Sequence, residues 1–184
     1  MSRFPELKPE QWDADQKKVA ANISAGPRGS VRGPFLPLLY SPGLCDPIQQ
    51  AGAHLRYKSA LSAALNEFAI CITARFWTAQ YEWHAHRKLA VEAGLDPKIA
   101  DQVARGERPT GMSAEQTAIY EFCNELHRTH GVSDKTFDAV VEKFGRRGAM
   151  DLIGICGYYT LISMVLNVSQ VPLPAGVEPP LPKL

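Results

Sequence analysis

Paired cysteines are missing from this sequence. Its four cysteines, Cys45, Cys71, Cys123 and Cys156, form no Cys-x-x-Cys motif and no spacing typical of a zinc ribbon. Such isolated thiols predict reduced, buried side chains rather than a disulfide framework. Redox chemistry that needs two cysteines within one motif is therefore excluded.

An excess of charge of one sign is also missing. Lysine and arginine number 20 against 19 aspartate and glutamate residues, so no strong field would attract nucleic acid. The N-terminus has no apolar signal segment, and the most apolar stretch, residues 152–168, is interrupted by glycines, Asn167 and several hydroxyl groups. We therefore expect a cytoplasmic protein with neither a nucleic-acid nor a membrane partner.

Alternating β-type runs are scarce, whereas apolar residues recur with helical spacing between clear start and stop signals. The chain is therefore predicted to be all-α. Asp96-Pro97, the capping box at 113–116 and Ser133 each mark the start of a helix. The predicted helices span about residues 10–23, 46–57, 65–94 (as one helix or two), 97–106, 113–131, 133–145 and 148–166.

A single domain is expected over residues 1–184, with two arms of a different composition. Residues 1–45 contain the first helix and a Gly/Pro-rich arm, and residues 172–184 form a Pro-rich arm. Both arms contain apolar side chains that a small isolated domain would leave uncovered. They predict contacts between subunits of a homo-oligomer.

Titratable and aromatic residues are concentrated in residues 66–86. Glu82 and His86 are four residues apart, so on a helix the carboxylate can orient the imidazole and raise its proton affinity. Such a pair can transfer a proton near neutral pH. His84 points to another face, which argues against a metal site. From spacing alone, a solvated ion pair is the simpler interpretation.

Whether Glu67 joins this pair depends on the path of the chain. In one straight helix, at about 1.5 Å per residue, Glu67 would lie roughly 28 Å from His86. A break near Trp77, with Thr78 as the next N-cap, would instead fold the chain into an antiparallel hairpin. Position 67 would then face position 86.

Residues 28–35, Arg-Gly-Ser-Val-Arg-Gly-Pro-Phe, form a glycine-rich loop with two guanidinium groups. Such a loop could hold a carboxylate or could simply be a solvated basic loop, and Arg56 has the same two interpretations. His127 and His130 lie in the last turn before Gly131, where cations complement the helix dipole, so a structural role is predicted for both.

Several of these segments together resemble one known family. The run 74–83 reads Ala-Arg-Phe-Trp-Thr-Ala-Gln-Tyr-Glu-Trp and is followed by His86 and by Leu-Ala-Val-Glu-Ala-Gly-Leu at 89–95. With the loop at 28–35, Gly-Tyr-Tyr-Thr at 157–160 and the tail at 167–174, this pattern resembles the carboxymuconolactone decarboxylase family over nearly the whole chain.

The resemblance implies an alkylhydroperoxidase D-like fold with a central antiparallel helix pair, and a homo-oligomer, commonly a trimer or hexamer. Peroxidase-type members of the superfamily carry Cys-x-x-Cys where this chain has Ala79 and Glu82, so their thiol chemistry is unavailable here. Decarboxylase-type members, which act in aromatic compound catabolism, remove carbon dioxide from a lactone acid without a cofactor or metal and protonate the dienolate that forms.

The resemblance also implies roles for particular residues. The proton donor or acceptor would be His86, with Glu82 as its orienting partner and Glu67 as a second member of the relay. Arg32 or Arg56 would anchor the substrate carboxylate, and the pocket walls would be formed by Phe35, Trp83 and Tyr158.

Three hypotheses about function follow from the sequence. The first is a cofactor-free lyase that acts on a small carboxylated lactone or cyclic acid by Glu/His proton transfer. The second is a non-catalytic, oligomeric ligand-binding protein in which the Glu/His pair only joins two helices. The third is a peroxiredoxin-like peroxidase that uses an isolated thiol such as Cys71.

Overall fold

The computed structural model describes residues 2–183, so Met1 and Leu184, the ends of the predicted domain 1–184, lie outside it. The described part of the chain is all-α, as predicted, and contains no strand. A short 3-10 helix at Pro9–Gln11 precedes the helices α1 (Ala14–Ala25), α2 (Phe35–Leu38), α3 (Pro42–Tyr57), α4 (Ala63–Phe76), α5 (Gln80–Glu92), α6 (Pro97–Ala104), α7 (Ala114–Thr129) and α8 (Asp134–Ser169).

Most of the predicted helix starts agree with the structure because a side chain caps each of them. Asp96 accepts a hydrogen bond from the backbone N–H of Lys98 at the start of α6. Ser113 and Gln116 form the predicted capping box of α7, and Ser133 caps α8.

Two predicted starts are wrong. Asp13 forms a capping box with Gln16, so α1 begins at Ala14 rather than near residue 10. Helix α3 begins at Pro42, four residues before the predicted Asp46 cap, because proline is well suited to the first helical position. Asp46 instead accepts side-chain hydrogen bonds, including those from Gln49 and Gln50.

Helices α4 and α5 form an antiparallel hairpin, which was one of the two predicted paths of the chain. Thr78 is not the N-cap; it takes a left-handed conformation with φ 46°, and Ala79 occupies the cap position. Helix α8 holds this turn in place. Asn167 donates a hydrogen bond to the carbonyl of Trp77, and the Trp77 indole N–H donates to Thr160.

Helix α8 consists of two segments that meet at a kink. Gly145 has a φ of 68°, a left-handed value that glycine adopts without steric cost, and the predicted helix end lies at this residue. The helix is long and apolar enough to cross a membrane, since its most apolar 18-residue window has a mean hydropathy of 1.6. Half of that window is buried within the fold, which is also the pattern of a core helix.

The core forms around α4, where every residue from Leu65 to Arg75 is buried against α5, α7 and α8. The Gly/Pro-rich N-terminal arm contains the short helix α2, and Phe35 packs into the core of its own chain. Residues 172–183 of the C-terminal arm contain no helix. The arm returns to the domain at Leu181, whose backbone exchanges two hydrogen bonds with the side chain of Gln80.

The positive φ of Gly145 predicts that two glycine substitutions have opposite effects on the free energy of unfolding. At both sites, Gly145 and Gly43, an added Cβ atom would have nothing within 4 Å. Gly145→Ala should lower the free energy of unfolding by about 1 kcal/mol, because φ is positive there. Gly43→Ala, in the first turn of α3, should raise it by about 0.5 kcal/mol, because alanine restricts the unfolded chain. Urea unfolding measures both values, and equal effects of the two substitutions would contradict the kink.

Candidate functional site

Three ionisable side chains meet between α4 and α5. The Nδ1 atom of His86 lies 2.5 Å from Oε2 of Glu67, and its Nε2 atom lies 2.9 Å from Oε1 of Glu82. Glu67 therefore reaches His86, which only the hairpin permits. All three side chains are buried, with exposed fractions of 8% for Glu67, 3% for Glu82 and 5% for His86.

His86 carries a positive charge at neutral pH. Burial by itself lowers the pKa of His86, but the charge of Glu82 and the hydrogen bonds to Glu67 and Glu82 outweigh burial and raise the pKa to about 9. Both ring nitrogens then act as donors. The expectation of proton transfer near neutrality took account of only one carboxylate, and the second moves the pKa of His86 upward.

The ring and its carboxylates are supported on two further sides. The ring of Tyr159 contacts His86 edge-on, with centroids 5.1 Å apart. The Nη2 atom of Arg56 lies 3.7 Å from Oε1 of Glu67, which places a fourth charge in the group. The charges of Arg56 and His86 thus balance those of Glu67 and Glu82.

A cavity of about 250 Å³ opens beside His86 and Glu82. Its walls come from the glycine-rich loop, α3, α5 and α8. The lining residues are Arg28, Ser30, Arg32, Gly33, Pro34, Phe35, Arg56, Tyr81, Glu82, Ala85, His86, Leu89, Tyr158, Tyr159 and Ile162. Of the residues predicted for the pocket, Arg32, Phe35, Arg56 and Tyr158 line it.

The prediction for Trp83 is wrong. Trp83 is only 1% exposed and packs in the hydrophobic core, on the side of α5 that faces away from the cavity. Tyr81, Ala85 and Leu89 line the cavity instead. These three residues are four positions apart, and each lies one position before or three positions after Glu82 or His86. On a helix this spacing places them beside the Glu/His pair, so it could have identified them.

Arg28 and Tyr158 form the inner wall of the cavity together with Phe35. The Arg28 guanidinium lies 4.5 Å above the Phe35 ring and 3.5 Å from the Tyr158 hydroxyl. Glycine is needed at position 52 of α3, because a Cβ atom there would collide with both the Tyr158 hydroxyl and Arg28. Arg28 was considered only as a member of the loop; its contact with Tyr158, 130 residues away, is not visible in the sequence.

The cavity wall holds more guanidinium donors than the protein satisfies. The buried Nε atoms of Arg28 and Arg56 have no hydrogen-bond partner among residues 2–183. Arg32 is exposed beside them. Three guanidinium groups at one wall provide a binding surface for a carboxylate, which accepts paired hydrogen bonds from arginine.

The two carboxylates face opposite nitrogens of one imidazole rather than a common point. No group of three or more His, Cys, Asp or Glu side chains between residues 2 and 183 is arranged to hold a metal ion. His84 is half-buried and is not among the lining residues, while His54 lies 3.7 Å from Asp151 on another part of the surface.

The raised pKa of His86 predicts a pH-dependent stability. Its contribution, about 3 kcal/mol, is fully present below the unfolded value of 6.5 and is lost as the pH rises through about 9. Unfolding in urea at several pH values should show this decline in the wild type and in His84→Gln, but not in His86→Gln. A parallel decline in His86→Gln would contradict the assignment. If that variant does not fold, an NMR titration of wild-type His86 measures the same pKa.

No protein-family model and no curated protein sequence matches this chain. Solved structures do share its fold. An uncharacterized peroxidase-related protein from Ralstonia eutropha JMP134, described as an alkylhydroperoxidase AhpD core, superposes with a TM-score of 0.75 and 22% identity over 90% of this chain and 88% of its own. An uncharacterized peroxidase-related protein from Silicibacter sp. TM1040 superposes with a TM-score of 0.75 and 14% identity over 94% of this chain and 91% of its own. The chain therefore has the alkylhydroperoxidase D-like fold that its sequence implied.

Proposed function

We propose that this protein is a cofactor-free lyase of the carboxymuconolactone decarboxylase type, acting on a small carboxylated lactone or related cyclic acid. The observation that carries the proposal is the buried His86 imidazolium, held by Glu67 and Glu82 at the wall of a cavity with three guanidinium groups. A charged acid facing carboxylate-binding groups suits a reaction that begins with an anion and ends with the protonation of a carbanion.

The two carboxylates have different roles in this proposal. Glu67 does not line the cavity, so its bond to Nδ1 fixes the orientation of the His86 ring. Glu82 lines the cavity together with His86 and shares the proton on Nε2. This proton is the one transferred. The orienting role that the resemblance implied for Glu82 passes to Glu67.

The reaction is divided between the two walls of the cavity. Arg28 and Arg32 bind a substrate carboxylate, while Arg56, held near Glu67, places positive charge beside the lactone. The bond to the departing carboxyl group breaks, carbon dioxide leaves, and its electron pair moves into the lactone carbonyl as a dienolate. The shared proton of His86 and Glu82 then adds to carbon, and water reprotonates the pair.

The peroxidase hypothesis with Cys71 has less support. Cys71 is 1% exposed, and burial raises its pKa well above its usual value, so the thiol stays protonated and is a poor nucleophile. The peroxidase-related names belong to the two structural neighbours, whose identities of 22% and 14% support a shared fold only.

The proposal is tested by carbon dioxide release and the absorbance change on γ-carboxymuconolactone. The wild type should turn over, and His86→Gln should lose about 10²- to 10⁴-fold in kcat, because it lacks the acid. Activity should fall as the pH rises through about 9, where His86 loses its proton. His84→Gln, two residues away on the same helix, serves as the matched control and should retain full activity.

Glu67→Gln separates orientation from chemistry. It should leave substrate binding unchanged but lower kcat and move the alkaline limb of the profile to a lower pH, because one hydrogen-bonded carboxylate is gone. A folded wild type without turnover would favour the non-catalytic ligand-binding hypothesis. Turnover that survives in His86→Gln would refute the proton-transfer role.

We further propose that the protein is a homo-oligomer, with α8 at the subunit contact. One face of α8 carries residues at intervals of three and four positions that remain exposed or half-buried, with Met150 65% and Val168 57% exposed. The residues on this face are Met150, Ile153, Gly157, Leu161, Met164 and Val168. An apolar stripe with this period can pack against the same stripe of a second copy across a two- or three-fold axis.

Sedimentation should therefore detect an oligomer that Met164→Glu dissociates, because a charge in the stripe would lose water on association. Lys143→Glu, on the first segment of α8 and outside the stripe, should leave the oligomer intact. A monomeric wild type, or a wild type that sediments with lipid vesicles instead, would contradict this contact.

A further inference from the structure

Two cysteines that are distant in sequence lie side by side beneath the surface. The Sγ atoms of Cys123 on α7 and Cys156 on α8 are 3.6 Å apart, and both cysteines are free. A disulfide needs a separation of about 2.05 Å, so closure requires a shift of roughly 1.5 Å shared by two side chains. Neither cysteine lines the cavity beside His86.

A histidine completes this pair. His127 follows Cys123 by one helical turn on α7, which places both side chains on the same face of the helix. Its Nε2 atom lies 3.0 Å from Oγ1 of Thr73 on α4, and His127 is close enough to Cys156 to help lower the pKa of that thiol. Three helices thus bring a base to two thiols.

The group lies directly under the surface. Cys156 is 2% exposed, and the half-buried ring of His127 lies outside it, stacked on Phe76 with centroids 4.8 Å apart. Phe76 itself is 49% exposed. An oxidant therefore reaches the thiols only after these two rings move, and a small hydroperoxide needs the least movement.

Cys156 is the more acidic thiol of the two. The hydrogen bond that it shares with Cys123, together with the nearby His127 side chain, outweighs burial and lowers the pKa of Cys156 to about 6. Burial raises the pKa of Cys123 well above its usual value. Because the two thiols share one hydrogen bond, ionisation of one favours the neutral form of the other, which is the division of roles that disulfide formation requires.

We propose that Cys123 and Cys156 form a second, redox-active site, which a small hydroperoxide oxidises to an intramolecular disulfide. This inference is independent of the proton-transfer function, since it uses none of the residues around His86. It differs from the hypothesis of an isolated thiol, because the second sulfur lies within reach of the first.

The oxidation proceeds in two balanced steps. The Cys156 thiol passes its proton to His127, its sulfur attacks the terminal oxygen of the hydroperoxide, the O–O bond breaks, and the leaving alkoxide or hydroxide takes that proton back from His127. Cys156 is then a sulfenic acid. The Cys123 sulfur attacks the Cys156 sulfur, the S–O bond breaks, and hydroxide leaves as water with the Cys123 proton. A small dithiol returns the two electrons and restores both thiols.

The first experiment exposes the reduced, full-length wild type to hydrogen peroxide, alkylates the remaining thiols under denaturing conditions and maps the peptides by mass spectrometry. Two of the four cysteines should escape alkylation, joined as Cys123–Cys156, and dithiothreitol should recover them. Four alkylated cysteines, over-oxidation of a single cysteine, or a link between other cysteines would overturn the proposal.

Three variants test the assignment of roles. Cys71→Ser, the matched control on α4, should form the disulfide at the wild-type rate. Cys123→Ser should stop at the sulfenic acid of Cys156, which dimedone labels. His127→Phe retains the stacked ring but lacks the donor, so oxidation at pH 7 should slow at least about tenfold as the thiolate fraction falls. A wild-type rate in His127→Phe would remove His127 from the site and with it the proposed first step.

Discussion

The ion pairs of His86 with Glu67 and Glu82 join α4 to α5 through three buried charged groups. A buried charge without a partner costs several kcal/mol, so each of these groups depends on the other two and on Arg56. The hairpin holds the imidazole between two carboxylates, and the carboxylates in turn keep the imidazole protonated. Asn167 on α8 donates a hydrogen bond to the turn at Trp77, so α8 helps to fix the hairpin that carries the site.

In the proposed function, different parts of the cavity bind the anion and transfer the proton. Its guanidinium groups come from the glycine-rich loop and α3, whereas its acid comes from α5. Tyr158 connects these parts, because its hydroxyl contacts Arg28 close to the backbone of Gly52. In the proposed reaction, a substrate anion held by the loop would lie against Glu82 and His86, since both line the cavity and Glu67 does not. This difference is the basis for proposing that Glu67 orients the ring and that Glu82 shares the moving proton.

Two of the helices around His86, α4 and α8, also contribute to the thiol site. Helix α4 holds Glu67 near one end and Thr73 near the other, and α8 places Cys156 two residues before Tyr158. The surroundings of His86 and of Cys156 shift the pKa values of these two groups in opposite directions. Two carboxylates raise the pKa of His86, whereas a histidine and a second thiol lower that of Cys156. The same set of helices thus holds two groups for which different chemistry is proposed.

Local signals in the sequence determined the helical class, most helix ends and the pairing of Glu82 with His86, because caps, glycines and four-residue spacing act within one or two turns. Starts at which two signals compete, such as Pro42 and Asp46 in α3, were not resolved by these signals. Contacts between distant segments were decided by the tertiary structure. The hairpin brought Glu67 to His86, packing turned Trp83 into the core, and α7 against α8 brought Cys123 to Cys156. Such contacts depend on how whole helix faces pack, and no local spacing records this.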